Sequence, residues 1–278
     1  MIPGGEDFGM AQRVAVVTGA SSGIGQATLA HLAEAGWRVF GAQRRDPGSL
    51  PAGASWVELD VTDPEAVERA VHRVIADAGR IDALINNAGY ALQGAIEDCT
   101  PEDMRAQMDT NFHGTFLMCR SVAPVMRAQG TGTIINVSSL AGILGVPFAG
   151  PYAASKFAVE GMTEALRHEL RPFGVRVCLL EPGDIDTNLP ANRRLVGGDT
   201  TSGPYADAYA RYAANQARDE ANCPGPDIVA RRIAKILNAG NPPLRHVVGK
   251  FDQRVVVPAK KLLPQRLFEA AVRQAIGI

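Results

Sequence analysis

Three side chains stand where proton chemistry could be done. Tyr152 and Lys156 are four residues apart, a step that puts both on one face of a helix. A free phenol, with a pKa near 10, is a poor base at neutral pH, but a neighbouring ammonium favours the phenolate by Coulomb attraction. At about 4 Å and an effective dielectric near 20, that attraction is on the order of 4 kcal/mol before solvation losses. Ser139 precedes Tyr152 by thirteen residues and falls at the carboxyl end of an expected strand, where ligand crevices open in doubly wound sheets. Its hydroxyl is placed to polarise a carbonyl. Spacing alone leaves another reading open, because a tyrosine and a lysine on one helical face also describe an ordinary solvated surface.

A second set of residues could hold phosphate. Thr18-Gly19-Ala20-Ser21-Ser22-Gly23-Ile24-Gly25 follows the first expected strand directly and opens the first helix. Glycines let a backbone approach a pyrophosphate closely, and a helix N-terminus offers unpaired N–H groups and the positive end of its dipole. An ordinary glycine-rich strand-to-helix turn has the same look. So does a nucleophile elbow, since Gly19 to Gly23 also fits Gly-x-Ser-x-Gly with Ser21 as the nucleophile of a serine hydrolase. Position argues against the elbow: the turn follows the first strand, and only His246 lies late enough to complete the usual order of a triad.

Elements that would carry these residues are legible in the alternation of short apolar runs with longer amphipathic ones. Strands are expected over 14–18, 38–42, 56–59, 83–86, 133–137 and 175–180, and helices over 24–35, 65–78, within 101–128, and over about 153–170. That rhythm is repeated βαβ. It predicts an α/β fold: a doubly wound parallel sheet of Rossmann type with helices on both faces. A leader over 1–10 precedes a single domain spanning 11–278. Within it, 188–226 is rich in Gly, Ala, Arg and Tyr and is expected to be a small helical lid or an inserted helical hairpin. The tail over 264–278 is expected to be an amphipathic helix closing over the cleft or a neighbouring subunit, with Leu263, Leu267, Phe268, Ala271 and Ile276 opposite its charges; weak membrane docking is the rival reading.

Composition narrows the partners. A net charge of -1 over 278 residues supplies no field to attract nucleic acid or an anionic membrane, which favours a small-molecule partner. The four cysteines form no Cys-x-x-Cys pair and the five histidines no ligand spacing, so neither a metal site nor a disulfide framework is indicated and a reducing cytoplasm fits.

Taken together, these motifs resemble the classical short-chain dehydrogenase/reductase family from about residue 13 to 189. The turn at Gly19, Gly23 and Gly25 resembles that family's Thr-Gly-x-x-x-Gly-x-Gly; Asp60-Val61 resembles its adenine contact; Asn86-Asn87-Ala88-Gly89 resembles its fourth-strand signature. The resemblance implies that Asn111, Ser139, Tyr152 and Lys156 form a catalytic tetrad, with Asn111 holding a water that relays protons to Lys156 and Lys156 also holding the nicotinamide ribose. It further implies that Pro182, Gly183, Ile185 and Thr187 grip the nicotinamide, and that Ser21, Ser22, Ile24, Asn87, Ala88 and Gly89 line the rest of the cofactor. Residues 145–148 and 154–158 are most similar to the steroid and retinol dehydrogenase branch, and the apolar stretch 140–148 suggests a lipophilic substrate wall.

The implied activity is hydride transfer between a nicotinamide and a carbonyl or secondary alcohol, with a catalytically silent cofactor-binding regulator on the same fold as the alternative. Cofactor choice rests on Gln43, which stands where an acidic residue would take the ribose hydroxyls of NAD, and on Arg44 beside it, which can bind a ribose phosphate. NADP(H) is therefore the expected cofactor, with NAD(H) second. By resemblance the protein is a homodimer or homotetramer.

Overall fold

The computed structural model of the protein describes residues 12–187 and 193–276. The expected leader lies outside the described residues. Seven parallel strands form the central sheet: β1 (Val14–Thr18), β2 (Arg38–Gln43), β3 (Ala54–Glu58), β4 (Ala83–Asn86), β6 (Gly132–Val137), β7 (Val175–Pro182) and β9 (Arg245–Val248), in the order β3-β2-β1-β4-β6-β7-β9. The chain builds outward from β1 to β3, then returns to the other side of β1 with β4. Because β1 and β4 lead into connections on opposite sides, a crevice opens at their carboxyl ends.

β1 shows why a nearly uninterrupted apolar strand is required. Val14 and Val16 face one core, Ala15 and Val17 the other, and all are buried. With both faces covered, the period-two alternation of a half-exposed strand disappears. On the first face lie α2 (Pro64–Ala78), α4 (Gly114–Gln129) and α5 (Gly150–Leu170), contributing Val71, Val74, Met118, Val122 and Met126; on the second lie α1 (Gly23–Glu34) and α7 (Asp227–Asn238), contributing Leu29, Leu32, Val229, Ile233 and Ile236. The Rossmann-type expectation is borne out.

Helix ends follow local chemistry. Asp63 accepts from the Glu65 amide ahead of Pro64, and Gly79 closes α2 in the left-handed region. The helical run expected within 101–128 divides into α3 (Pro101–Met108), a five-residue π turn (Asp109–His113) and α4. Such π turns recur at functional sites.

Of the two forms expected for residues 188–226, a small helical lid or an inserted helical hairpin, the described part has a single helix and no hairpin. Their described part contributes a short strand, β8 (Arg193–Leu195), paired in parallel with β5 (Ala91–Gln93), followed by one helix, α6 (Ala206–Glu220). Tyr205, Tyr209 and Tyr212, on successive turns, pack against the Phe148 ring at 6.3, 5.5 and 5.6 Å. This anchors α6 by one aromatic face, and α6 also packs against the tail helix over 265–276. The chain ends in α8 (Phe251–Leu262) and the expected tail helix, α9 (Gln265–Ile276), in which Phe268 is buried. Among the described residues, no helix is long and apolar enough to cross a membrane.

Candidate active site

A cleft of about 820 Å³ runs along the carboxyl edge of the sheet. Its floor is built from the ends of β2, β1, β4, β6 and β7, in that spatial order. The residues singled out from sequence at those ends, namely Gly19, Ser21, Ser22, Gly23, Ile24, Gln43, Arg44, Asp60, Val61, Asn87, Ala88, Gly89, Ser139, Tyr152, Lys156, Pro182, Gly183, Ile185 and Thr187, all line this one cleft. Gly25 and Asn111 do not; they sit one layer behind it.

The glycine turn is held from below by the fourth strand. Thr18 Oγ1 accepts from the amides of Asn87 and Ala88, both at 3.0 Å, while Asn87 Nδ2 donates to the carbonyls of Thr18 and Gly19 at 3.0 and 3.1 Å. A side chain at Gly25 would lie 2.2 Å from the Gly19 carbonyl, so its glycine serves the packing of helix on turn. Gly19 itself has φ 65°, a left-handed conformation suited to glycine. Ser22 begins α1 without a side-chain cap, and no acidic residue stands in the first turn. An uncapped helix start of this kind is a fit for phosphate.

At the end of β2, the Gln43 amide donates to the Arg45 carbonyl at 2.9 Å, and Arg44 is exposed on the cleft rim. Burial raises the Asp60 carboxyl, but hydrogen bonds from the Thr62 amide and hydroxyl and the charge of Arg44 outweigh it, leaving Asp60 below its ordinary range. These groups would fit the adenosine end of a nicotinamide dinucleotide.

Tyr152 and Lys156 occupy successive turns at the start of α5. Burial pushes the Tyr152 phenol above its ordinary range; a hydrogen bond with Ser139 opposes this and the charge of Asp184 adds to it. Ser139 Oγ also accepts from the Ala141 amide at 3.1 Å, which fixes its rotamer. Burial brings Lys156 down to about 8, with Glu160 resisting. Its Nζ donates to the Val137 carbonyl at 2.8 Å and lies 5.8 Å from the centre of the Tyr152 ring. The expected depression of the phenol by Lys156 is therefore not what the structure gives. Desolvation raises the phenol, and the ammonium is directed to a backbone carbonyl.

Asn111 is fully buried in the π turn. Its Nδ2 donates to the Tyr90 carbonyl at 3.0 Å and to Ser155 Oγ at 3.1 Å; its Oδ1 accepts from the Tyr90 amide at 3.1 Å. Ser155 Oγ donates to the Tyr152 carbonyl at 2.7 Å. Asn111 thus ties the strand-four loop to the helical turn that carries Tyr152.

Beyond Lys156 the same face of α5 carries Glu160 and Glu164. Both pair with Arg245 of β9, which also binds the buried Glu181 of β7. Sequence spacing suggested nothing here, because Arg245 and Glu181 come from strands far along the chain.

The wall expected from 140–148 is partly as read: Leu140, Leu144 and Val146 line the cleft, whereas Phe148 turns to the α6 tyrosines. Sequence reasoning missed the other walls, in which Tyr90, Gln93, Arg193, Arg194, Tyr212 and Gln216 take part. Gln93 Nε2 donates to Gln216 Oε1 at 3.0 Å, and Arg194 stacks 4.7 Å from the centre of the Tyr90 ring. The elbow reading of Ser21 lacks its partner, since among the described residues no histidine lines the cleft and His246 is bonded to the Pro243 carbonyl.

Comparison with known proteins agrees with this geometry. A family profile described as short chain dehydrogenase matches residues 13–195. The chain belongs to that family. The 3-ketodihydrosphingosine reductase of Bacteroides thetaiotaomicron is 40% identical over 95% of this chain and 98% of its own. The NADPH-dependent 3-dehydrocapnine reductase of Ornithobacterium rhinotracheale is 32% identical over 92% of this chain and 95% of its own. Among solved structures, a short-chain dehydrogenase/reductase from Burkholderia phymatum in complex with NAD superposes with a TM-score of 0.78 at 26% identity, covering 95% of this chain and 96% of that one. The chain is a dehydrogenase/reductase of the NAD(P)-binding short-chain family.

Proposed function

We propose that this short-chain dehydrogenase is an NADP(H)-dependent reductase of long-chain ketones, and that a 3-keto sphingoid base of the kind named for its Bacteroides relative is the best starting substrate. One observation carries the reading: Tyr152, hydrogen-bonded to Ser139, is held protonated by burial in the same cleft as the glycine turn and Arg44. A neutral phenol is the form that gives a proton, which is the demand of ketone reduction.

The bound nicotinamide supplies the hydride. The residues supply position and charge. Ser139 Oγ and Tyr152 Oη orient the carbonyl oxygen, and Tyr152 Oη donates its proton to that oxygen as the alcohol forms. Lys156, buried and charged below about pH 8, keeps positive charge beneath the site. Asn111 acts as a positioning residue through Tyr90 and Ser155. Arg44 favours a ribose phosphate, and Gln43 does not repel one. Leu140, Leu144, Val146 and Val272 form an apolar run suited to an alkyl chain.

The test is NADPH absorbance with 3-ketones of increasing chain length. The proposal expects kcat/KM to rise with chain length for NADPH and to be lower for NADH. Reduction of no long-chain ketone, or equal use of short and long ones, refutes it.

A further inference from the structure

Three carboxylates line the cleft among the described residues: Asp60, Glu220 and Asp184. Asp60 is turned onto Thr62, and Glu220 is paired with Arg193. Asp184 differs from both. Among the described residues it forms no ion pair within 4.0 Å. One oxygen, Oδ2, accepts from Gln253 Nε2 of α8, and the Asp184 amide donates to Gln253 Oε1 at 3.1 Å. This reciprocal pair fixes the carboxylate without neutralising it.

Its location is specific. Asp184 follows Pro182-Gly183 at the end of β7, and its charge reaches the Tyr152 phenol as well as Tyr212 and Arg193. Lys250 and Arg193 favour its charge from a distance, but each is engaged elsewhere: Lys250 donates to the Asp219 carbonyl at 2.7 Å, Arg193 pairs with Glu220, and Asp219 itself repels Asp184. A half-buried carboxylate without a direct counterion is costly to keep, and a cation brought in by the substrate would supply that counterion.

We propose that Asp184 forms the subsite for a protonated amine carried on the carbon next to the ketone that Tyr152 reduces. The inference deepens the ketone-reductase reading and rests on it. A charge-assisted hydrogen bond from the ammonium to Oδ1 selects amino ketones over plain ketones of equal length. Bonds of that type correspond to roughly ten- to hundredfold in kcat/KM.

The experiment compares three ketones of matched chain length: a 2-amino-3-ketone, its N-acetyl derivative and the amine-free 3-ketone. kcat/KM is read from NADPH absorbance for the parent enzyme and Asp184→Asn, with retained NADPH binding, read by fluorescence, as the check on folding. The parent should favour the free amine by roughly ten- to hundredfold over the other two, and Asp184→Asn should bring that ratio close to one. In the parent alone, the ratio should fall as pH rises through the amine's own pKa, a readout that needs no variant. A ratio near one in the parent, a ratio flat across that pH range, or a variant that keeps the parent's ratio overturns the subsite. Failure of the parent to reduce any of the three ketones is a different result, which ends the reductase reading and the subsite with it.

Discussion

Replacing Glu160 with glutamine should move the basic limb of the pH profile to lower pH. Lys156 is buried, and burial brings its ammonium from 10.5 to about 8. The charge is present below that value and lost as pH rises through it. Glu160, one helical turn on, is the group that resists the loss. Side chains four apart on a helix have Cβ atoms about 6 Å apart, and at an effective dielectric near 20 their attraction is about 3 kcal/mol, or roughly two pK units. In the variant Arg245 can turn fully to Glu181 and Glu164, which recovers part of this. The expected shift is therefore about one to two units, placing the limb between about pH 6 and 7. The assay is kcat/KM for NADPH at saturating ketone from about pH 5 to 10, because this ratio follows the free enzyme's groups. At pH 8 the variant should retain roughly a tenth or less of its own plateau value, where the parent retains about half. Glu160→Asp keeps the charge and should keep the limb. A limb in Glu160→Gln within about 0.3 unit of the parent's, or one shifted upward, refutes the reasoning.

Three further outcomes are expected. Arg44→Ala should weaken kcat/KM with NADPH roughly ten- to hundredfold while leaving NADH nearly unchanged, and Gln43→Asp should move preference towards NADH; an equal loss for both cofactors would reject this assignment. Arg245→Met removes the shared partner of Glu160, Glu164 and Glu181, of which Glu181 is wholly buried. It should cost on the order of 3 to 5 kcal/mol, seen as a loss of urea midpoint, and an unchanged midpoint would contradict it. Deleting the chain from Pro264 onward removes Val272 from the cleft wall and should raise KM for long-chain ketones more than for short ones.

Much of the fold was legible because parallel strands covered on both faces must be apolar throughout, as in 14–18 and 83–86. The glycine turn and the Tyr152–Lys156 step were legible because they are local. What could not be read was non-local. β9 reads Arg245-His246-Val247-Val248, and its arginine looks solvent-facing until β7 brings Glu181 beneath it. β5 and β8 are too short to stand out and pair across about a hundred residues. α7 did carry a signal in Val229, Ile233, Ile236 and Leu237, spaced for one helical face. The direction of the Tyr152 shift depends on desolvation, which spacing cannot report; a lysine four residues away suggested a lowered phenol, and burial raises it.

Hydride transfer itself offers the most direct test. NADPH carrying deuterium at the transferring position of the nicotinamide is incubated with a long-chain 3-ketone and the enzyme, and the product is analysed by mass spectrometry. The account predicts an alcohol with one deuterium on the former carbonyl carbon for the parent. It predicts none above background for Tyr152→Phe, which should still bind NADPH, because only the proton-donating oxygen is gone. Alcohol formed without deuterium, or deuterated alcohol formed by Tyr152→Phe within about tenfold of the parent's rate, would contradict it.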